Sequence, residues 1–267
     1  MAPMNRRASM LREMGLAPVW RLRDAPMAGE DTPPVAIPVA AAATLDAEPV
    51  AAALVRAPAV PPARAAALPI ASPLVAPACV ATEGMDWEAL EAAIGSCRAC
   101  PLHERRTMAV PGVGDRAADW LFVGEGPGAE EDVRGEPFVG QAGKLLDAML
   151  AAIGLARGKN AYIANAVKCR PPGNRTPEAA EMAACQPYLE RQITLIQPRI
   201  IVALGRPAAQ ILLGGEVKIN AARGRLFDRA GIPVVVTYHP AYLLRSPQDK
   251  AKAWEDLCFA RAALTSR

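Results

Sequence analysis

NAVKCRPPGNRTPEAAEMAAC, residues 165–185, is the stretch from which the rest of the chain is best read. It opens on Asn165, whose amide carries both a donor and an acceptor and could read the edge of a base. It also holds Cys169 and Cys185, with a basic, proline-stiffened loop between them. Two further thiols, Cys97 and Cys100, stand upstream in CRACPLHERR. Four cysteines spaced in this way suggest a metal or cluster tying the start of a domain to its middle. Zinc would accept the set, and a [4Fe–4S] cluster fits it about as well. A CxxC followed by Pro101 also suits a redox dithiol, and four unrelated buried thiols would share the spacing.

Outward from this stretch the pattern alternates. Residues 86–96, 140–155, 176–198, 206–214 and 250–264 read as helices, the third capped by Thr176 with Pro177 at its first position. DWLFVGEGPG (119–128) reads as a short buried strand running into a glycine turn. AYIANAVK (161–168), RIIVALG (199–205) and IPVVVTYHP (232–240) read as further strands. The stretch around Leu226 and Phe227 shows no clear pattern. Strands alternating with helices predict an α/β fold: a three-layer α/β/α sandwich around a mainly parallel, four-stranded sheet. Ligands bind such sheets beyond the carboxyl ends of the strands. Three of the four strands end near a chemical group: Glu125, Asn165 and His239.

Composition narrows the class. The 267 residues carry a net charge of +3, too small to announce a nucleic-acid partner by itself. No apolar run predicts a membrane span, and the N-terminus lacks a secretory core. Six cysteines without such a leader favour a reduced cytoplasm and a metal or cluster over disulfides. Half of the 26 prolines precede residue 80, and residues 25–84 contain no aromatic side chain. That segment reads as a flexible Ala/Pro-rich linker, with Cys79 a bystander. Residues 1–24 read as a short amphipathic peptide and residues 85–267 as the folded domain.

The other motifs each have a plain reading beside a functional one. GEGPG at 124–128 resembles a dinucleotide fingerprint weakly, because no helix is expected to open directly from it; an ordinary tight turn is the alternative. Phe138, in PFVGQAG, is a candidate platform for stacking a base, although phenylalanines more often pack into cores. His239 sits at a strand end before a proline, where it is either structural or catalytic. Tyr242, Leu243, Leu244 and Arg245 follow it as a wedge-and-charge set suited to a DNA groove.

Taken in order, CxxCPL at 97–102, GEGPG at 124–128, PFVGQAG at 137–143, NAVKCRPPGNRTP at 165–177 and HPAYLLR at 239–245 resemble a family 4 uracil-DNA glycosylase. The resemblance covers about residues 93–264. It implies a [4Fe–4S] cluster on Cys97, Cys100, Cys169 and Cys185, and a monomer acting on uracil-containing DNA at the nucleoid. It implies that Phe138 stacks on a flipped base, that Asn165 reads its N3 and O4 edge, and that His239 stabilises the departing uracil. Leu244 and Arg245 are implied as the DNA contacts. The chain departs from the best-known uracil glycosylases in its first motif. Gly126 stands where an aspartate orients water, and Gly128 where a tyrosine bars the thymine methyl. Glu125 is then the candidate for positioning water, and Glu131 for walling off the methyl. Related cross-linking enzymes carry a histidine-bearing insertion that the CRPPGNRTP loop replaces, so no covalent DNA adduct is expected. Two rival readings are a non-catalytic cluster protein of the same fold and a nucleotide-binding enzyme built on GEGPG.

A second, shorter resemblance lies in NRRASMLREMGLAPVWRLR, residues 5–23. It is similar to the N-terminal segment of the psi subunit of the bacterial replicative clamp loader, which binds the chi subunit. The resemblance implies docking to chi or a similar replication-fork protein, with Trp20 as an interface anchor.

Overall fold

The computed structural model describes residues 80–265. The candidate docking peptide, nearly all of the Ala/Pro-rich segment and Cys79 lie outside them.

The described residues open on helix α1 (Trp87–Ser96), capped by the Asp86 carboxylate, which accepts the Ala89 N–H at 2.9 Å. One short 3₁₀ turn, Pro101–Glu104, follows the CxxC. Strands β1 (Val113–Gly114), β2 (Trp120–Gly124), β3 (Ala161–Asn165), β4 (Ile200–Leu204), β5 (Leu226–Arg229) and β6 (Ile232–Thr237) form a single sheet. Helices α2 (Ala129–Arg134) and α3 (Gln141–Ala152) separate β2 from β3. Helix α4 (Ala179–Ile196) precedes β4, and α5 (Arg206–Leu213) and α6 (Ile219–Ala222) follow it. Helices α7 (Pro240–Arg245) and α8 (Lys250–Thr265) close the described chain.

The sheet order is β1-β3-β2-β4-β6-β5. Its centre, β3-β2-β4-β6, is parallel, as the alternating pattern predicts. The edges differ from the expectation: β1 and β5 add antiparallel strands, so the sheet is six-stranded and mixed. These two escape a sequence reading for a physical reason. β1 is two residues long, and β5, half exposed at the edge, buries too little to impose a hydrophobic run.

Alternation along the buried strands builds the two outer layers. Trp120, Phe122, Ile163, Val202 and Val235 face Leu146 and Leu150 of α3 and Leu257 of α8. Leu121, Val123, Tyr162, Ile201 and Val234 face Leu189 and Ile193 of α4 and Leu212 of α5. A third apolar group, including Leu90, Ile94, Leu102, Val167 and Tyr188, surrounds Cys169 and Cys185. Among the described residues no helix is long and apolar enough to cross a membrane.

Two local expectations are corrected. Helix α4 starts at Ala179 with Glu178, not Thr176, as its N-cap, and Pro177 lies outside it. The Glu181 carboxylate accepts the Glu178 N–H at 2.7 Å, completing a capping box, and binds the Arg175 guanidinium at 2.8 and 2.6 Å. The glycine turn does open directly into a helix: α2 begins at once after Gly128. Its first turn bears Glu130, Glu131 and Asp132, which favour a helix N-terminus.

Candidate active site

The parallel centre brings the carboxyl ends of β2, β3 and β6 to one edge of the sheet. Gly124 and Asn165 are register partners there, Glu125 follows Gly124, and His239 follows β6 by two residues. Above that edge opens a cavity of about 760 Å³. Glu125, Gly126, Gly128, Glu131, Phe138, Asn165, His239 and Arg245 all line it. Leu244 does not; it stands 43 % exposed on α7 beside Arg245.

Asn165 is 2 % exposed, and its Oδ1 has no hydrogen-bond partner within the protein. A buried amide oxygen left open costs about 1–3 kcal/mol, so Oδ1 offers an unused acceptor to a donor placed in the cavity. Gly124 makes room for it: a Cβ there would lie 2.4 Å from Asn165 Oδ1 and 2.6 Å from the Phe138 ring.

Phe138 is held on a loop with φ of 55°, a left-handed conformation that costs energy in a residue with a Cβ. Arg157 clamps it by donating to the Pro137 and Phe138 carbonyls at 2.8 and 2.7 Å. The Phe138 ring stacks on the His239 imidazole with centroids 5.4 Å apart. Phe138 is thus both wall of the core, 6 % exposed, and floor of the cavity.

His239 caps α7. Its Nδ1 accepts the Ala241 N–H at 3.1 Å. A ring nitrogen that accepts carries no proton, so the neutral ring keeps its N–H at Nε2. Burial, then the positive charge of Arg245, pull its pKa from 6.5 to about 4, with Glu131 opposing. The imidazole is therefore neutral at neutral pH and presents a donor.

Glu125 has its carboxyl held above the usual range by burial, opposed by a hydrogen bond with Thr176 and by Arg206 and Arg245. Glu131 is engaged by main chain: Oε2 accepts the Gly128 N–H at 3.0 Å, and Oε1 accepts the Val139 and Gly140 N–H groups at 3.0 and 3.1 Å. It staples the glycine turn to the Phe138 loop. It also fills the space at Gly128, where a Cβ would meet Oε2 at 2.6 Å. At Gly126 a Cβ would meet the Val167 side chain at 2.7 Å. The CRPPGNRTP loop adds Pro171, Asn174, Arg175 and Thr176 to the cavity wall. Sequence reading missed Thr176 in this role, having spent it on a helix cap, and missed Arg206 and Tyr238, which no motif marked.

The thiols meet elsewhere. Cys97, Cys100, Cys169 and Cys185 line one small cavity with Ile94, Lys168 and Tyr188. Among the described residues no three His, Cys, Asp or Glu side chains are gathered for a single metal ion. Four thiols around a shared space are a donor set that zinc or an iron–sulfur cluster would accept. Donors point at the sulfurs: Arg106 to Cys169 Sγ at 3.1 Å, and the Lys168 and Ala99 N–H groups to Cys185 and Cys97 Sγ at 3.2 and 3.5 Å. Such bonds are weak to thiols and strong to thiolates, so the surroundings fit ligated, deprotonated cysteines. Without a ligand, burial pushes Cys185 up to about 12, opposed by Lys168.

Comparison with known proteins identifies the family. Residues 111–258 match the family described as the Uracil DNA glycosylase superfamily. A type-4 uracil-DNA glycosylase of Archaeoglobus fulgidus is 48 % identical over 163 residues, covering 58 % of this chain and 81 % of that protein. One from Pyrobaculum aerophilum is 45 % identical over 184 residues, 65 % of this chain and 92 % of that protein. One from Thermotoga maritima is 46 % identical over 167 residues, 62 % and 86 % respectively.

Proposed function

The chain belongs to the Uracil DNA glycosylase superfamily, and from that premise we propose how its cavity is used. It is a uracil-DNA glycosylase, a hydrolase that cuts the N-glycosidic bond of deoxyuridine in DNA and so begins repair of that lesion. The open, buried Asn165 Oδ1 carries the proposal. Uracil has a proton at N3 to give to that oxygen; cytosine has a lone pair there and leaves it unpaired, a large discrimination.

The uracil must leave the base stack to reach the cavity. Leu244 and Arg245, on the rim, are proposed to fill and hold the gap in the DNA. Phe138 stacks on the flipped base, worth roughly 1–3 kcal/mol. As the bond to the sugar breaks, negative charge gathers on uracil O2. His239 Nε2–H and main-chain N–H groups of the GEGPG turn stabilise it, as an oxyanion hole does. Glu125, steadied by Thr176, positions the water that attacks the sugar cation. Gly126 and Gly128 let main chain approach the base, and the Glu131 carboxylate takes the space a larger residue at 128 would need, beside the C5 edge.

Cys97, Cys100, Cys169 and Cys185 would hold a [4Fe–4S] cluster. Its contribution is structural, bracing the loop between Cys169 and Cys185 that helps wall the cavity; hydrolysis needs no electron. Release of uracil from single-stranded uracil-containing DNA, read as alkali-sensitive strand cleavage, tests the activity. Intact strands after prolonged incubation would reject it.

Residues 5–23 are further proposed to dock on the clamp-loader chi subunit or a similar fork protein, with the Ala/Pro-rich segment as tether. Titration of purified chi with that peptide checks this. Absence of binding at tens of micromolar, about the weak end for a segment that orders on binding, or binding indifferent to Trp20→Ala, would reject it.

A further inference from the structure

Three residues beyond Asn165, Lys168 is 1 % exposed. Its ammonium faces no carboxylate; the charged groups that act on it are the sulfurs of Cys185 and Cys169. Burying an ammonium is strongly unfavourable unless hydrogen bonds and opposite charge compensate it. Nζ donates to the Asn165 carbonyl at 2.8 Å and to Gln192 Oε1 at 2.6 Å. Gln192, itself fully buried, donates onward to the Pro111 carbonyl at 2.8 Å. The main chain of Lys168 reaches the other way. Its N–H donates to Cys185 Sγ at 3.2 Å, and its carbonyl accepts the Val110 N–H at 2.8 Å.

One residue therefore touches the thiol cavity with its main chain and the end of β3 with its side chain. The second contact matters because the Asn165 side-chain oxygen has no partner in the protein to aim it. The amide is walled by Gly124 and Phe138 but projects from the main chain of Asn165, and the carbonyl of that residue is what Lys168 grips.

We propose that Lys168 is a positioning residue, a buried strut from the thiol cavity to the backbone of Asn165 that fixes the aim of the base-reading amide. It rests on the reading of the cavity as a uracil site, and its test is built so that the two can fail separately. Lys168→Met keeps the apolar stem and removes the donors. In the full-length protein with its cysteines loaded, single-turnover excision is expected to fall roughly 10–100-fold, the usual effect of losing a supporting contact. DNA affinity is expected to stay unchanged. In an Asn165→Ala background the same change should add little, because residues acting through one another are not additive. Gln192→Met loosens the strut without touching Lys168 or the cysteines and should show the same non-additivity. It serves where Lys168→Met fails to fold.

One readout does not depend on excision. A crystal structure of the variant should show the Asn165 amide displaced or in two orientations. An unmoved Asn165, or losses that multiply with Asn165→Ala, would each overturn the proposal. A wild-type chain that leaves uracil in place while Asn165 still shifts in the variant would strike only the uracil reading.

Discussion

Gly124 and Asn165 face each other across the parallel pair β2 and β3, with no room for a methyl group between them: a Cβ on Gly124 would stand 2.4 Å from Asn165 Oδ1. The Phe138 ring stands 2.6 Å from the same point, so relief means moving two packed side chains at once. Gly124→Ala is expected to destabilise the fold by about 1–3 kcal/mol and to abolish excision by displacing the amide. Chemical denaturation and single-turnover assays check the two effects; normal excision would show that the amide tolerates the shift.

His239→Ala should cost about 10²–10³ in single-turnover rate, the usual loss for one oxyanion-type donor, with DNA binding kept. Asn165→Ala should likewise spare binding. Rates equal to wild type would remove either residue from the chemistry.

The pH dependence has a definite sign. His239 titrates at about 4 in the folded chain against 6.5 ordinarily. Between these values the unfolded chain binds more protons, so stability from His239 is full above about 6.5 and is lost as pH falls through about 4. The neutral ring persists across the neutral range, so His239 does not set an acid limb near 6.5. The acid limb is set instead by Glu125, whose carboxyl is raised above the usual carboxylate range by burial. A pH–rate profile should keep this limb in wild type and lose it in Glu125→Gln. A limb unchanged in that variant would remove Glu125 from the water-positioning role.

Glu131→Ala leaves three N–H groups of the glycine turn and Phe138 loop without their acceptor. A loss of about 1–3 kcal/mol per buried group stranded is the upper range, water relieving part of it. Thermal unfolding checks the loss, and faster hydrogen exchange at Val139 and Gly140 would locate it.

Protein purified anaerobically should be brown and carry iron and sulfide near four per chain, the stoichiometry of a four-cysteine cubane. Stoichiometric zinc without a chromophore would be the contrary result. Replacing Cys185 by serine should release the cluster and loosen the 169–185 loop, seen as increased proteolysis there.

Much of this was open to a linear reading, for local reasons. Buried parallel strands are continuous apolar runs, and WLFVG, AYIAN, IIVAL and PVVVT announce themselves. Chemical residues at their ends follow from topology alone, which is why Glu125, Asn165 and His239 could be placed at one edge. What failed rests on contacts that no apolar run announces. Strand β5 exists because β6 offers it an edge across a two-residue turn, and the cap of α4 fell to Glu178 because Glu181 is pinned there by Arg175.

The sequence by itself determined the residue types of the chemistry: an amide, an imidazole, a carboxylate, an aromatic and four thiols, on strands and loops whose local pattern is strong. Only the tertiary structure decided their state. The Nε2 tautomer of His239 comes from the Ala241 N–H, and its neutrality from burial and Arg245. The open oxygen of Asn165 comes from the packing of Gly124 and Phe138 around it. The tie from the thiols to that asparagine runs through Lys168 and Gln192, 24 residues apart. Protonation, orientation and burial are properties of an environment that exists only once the chain has folded, built from near and remote segments together, and the residue types alone do not encode them.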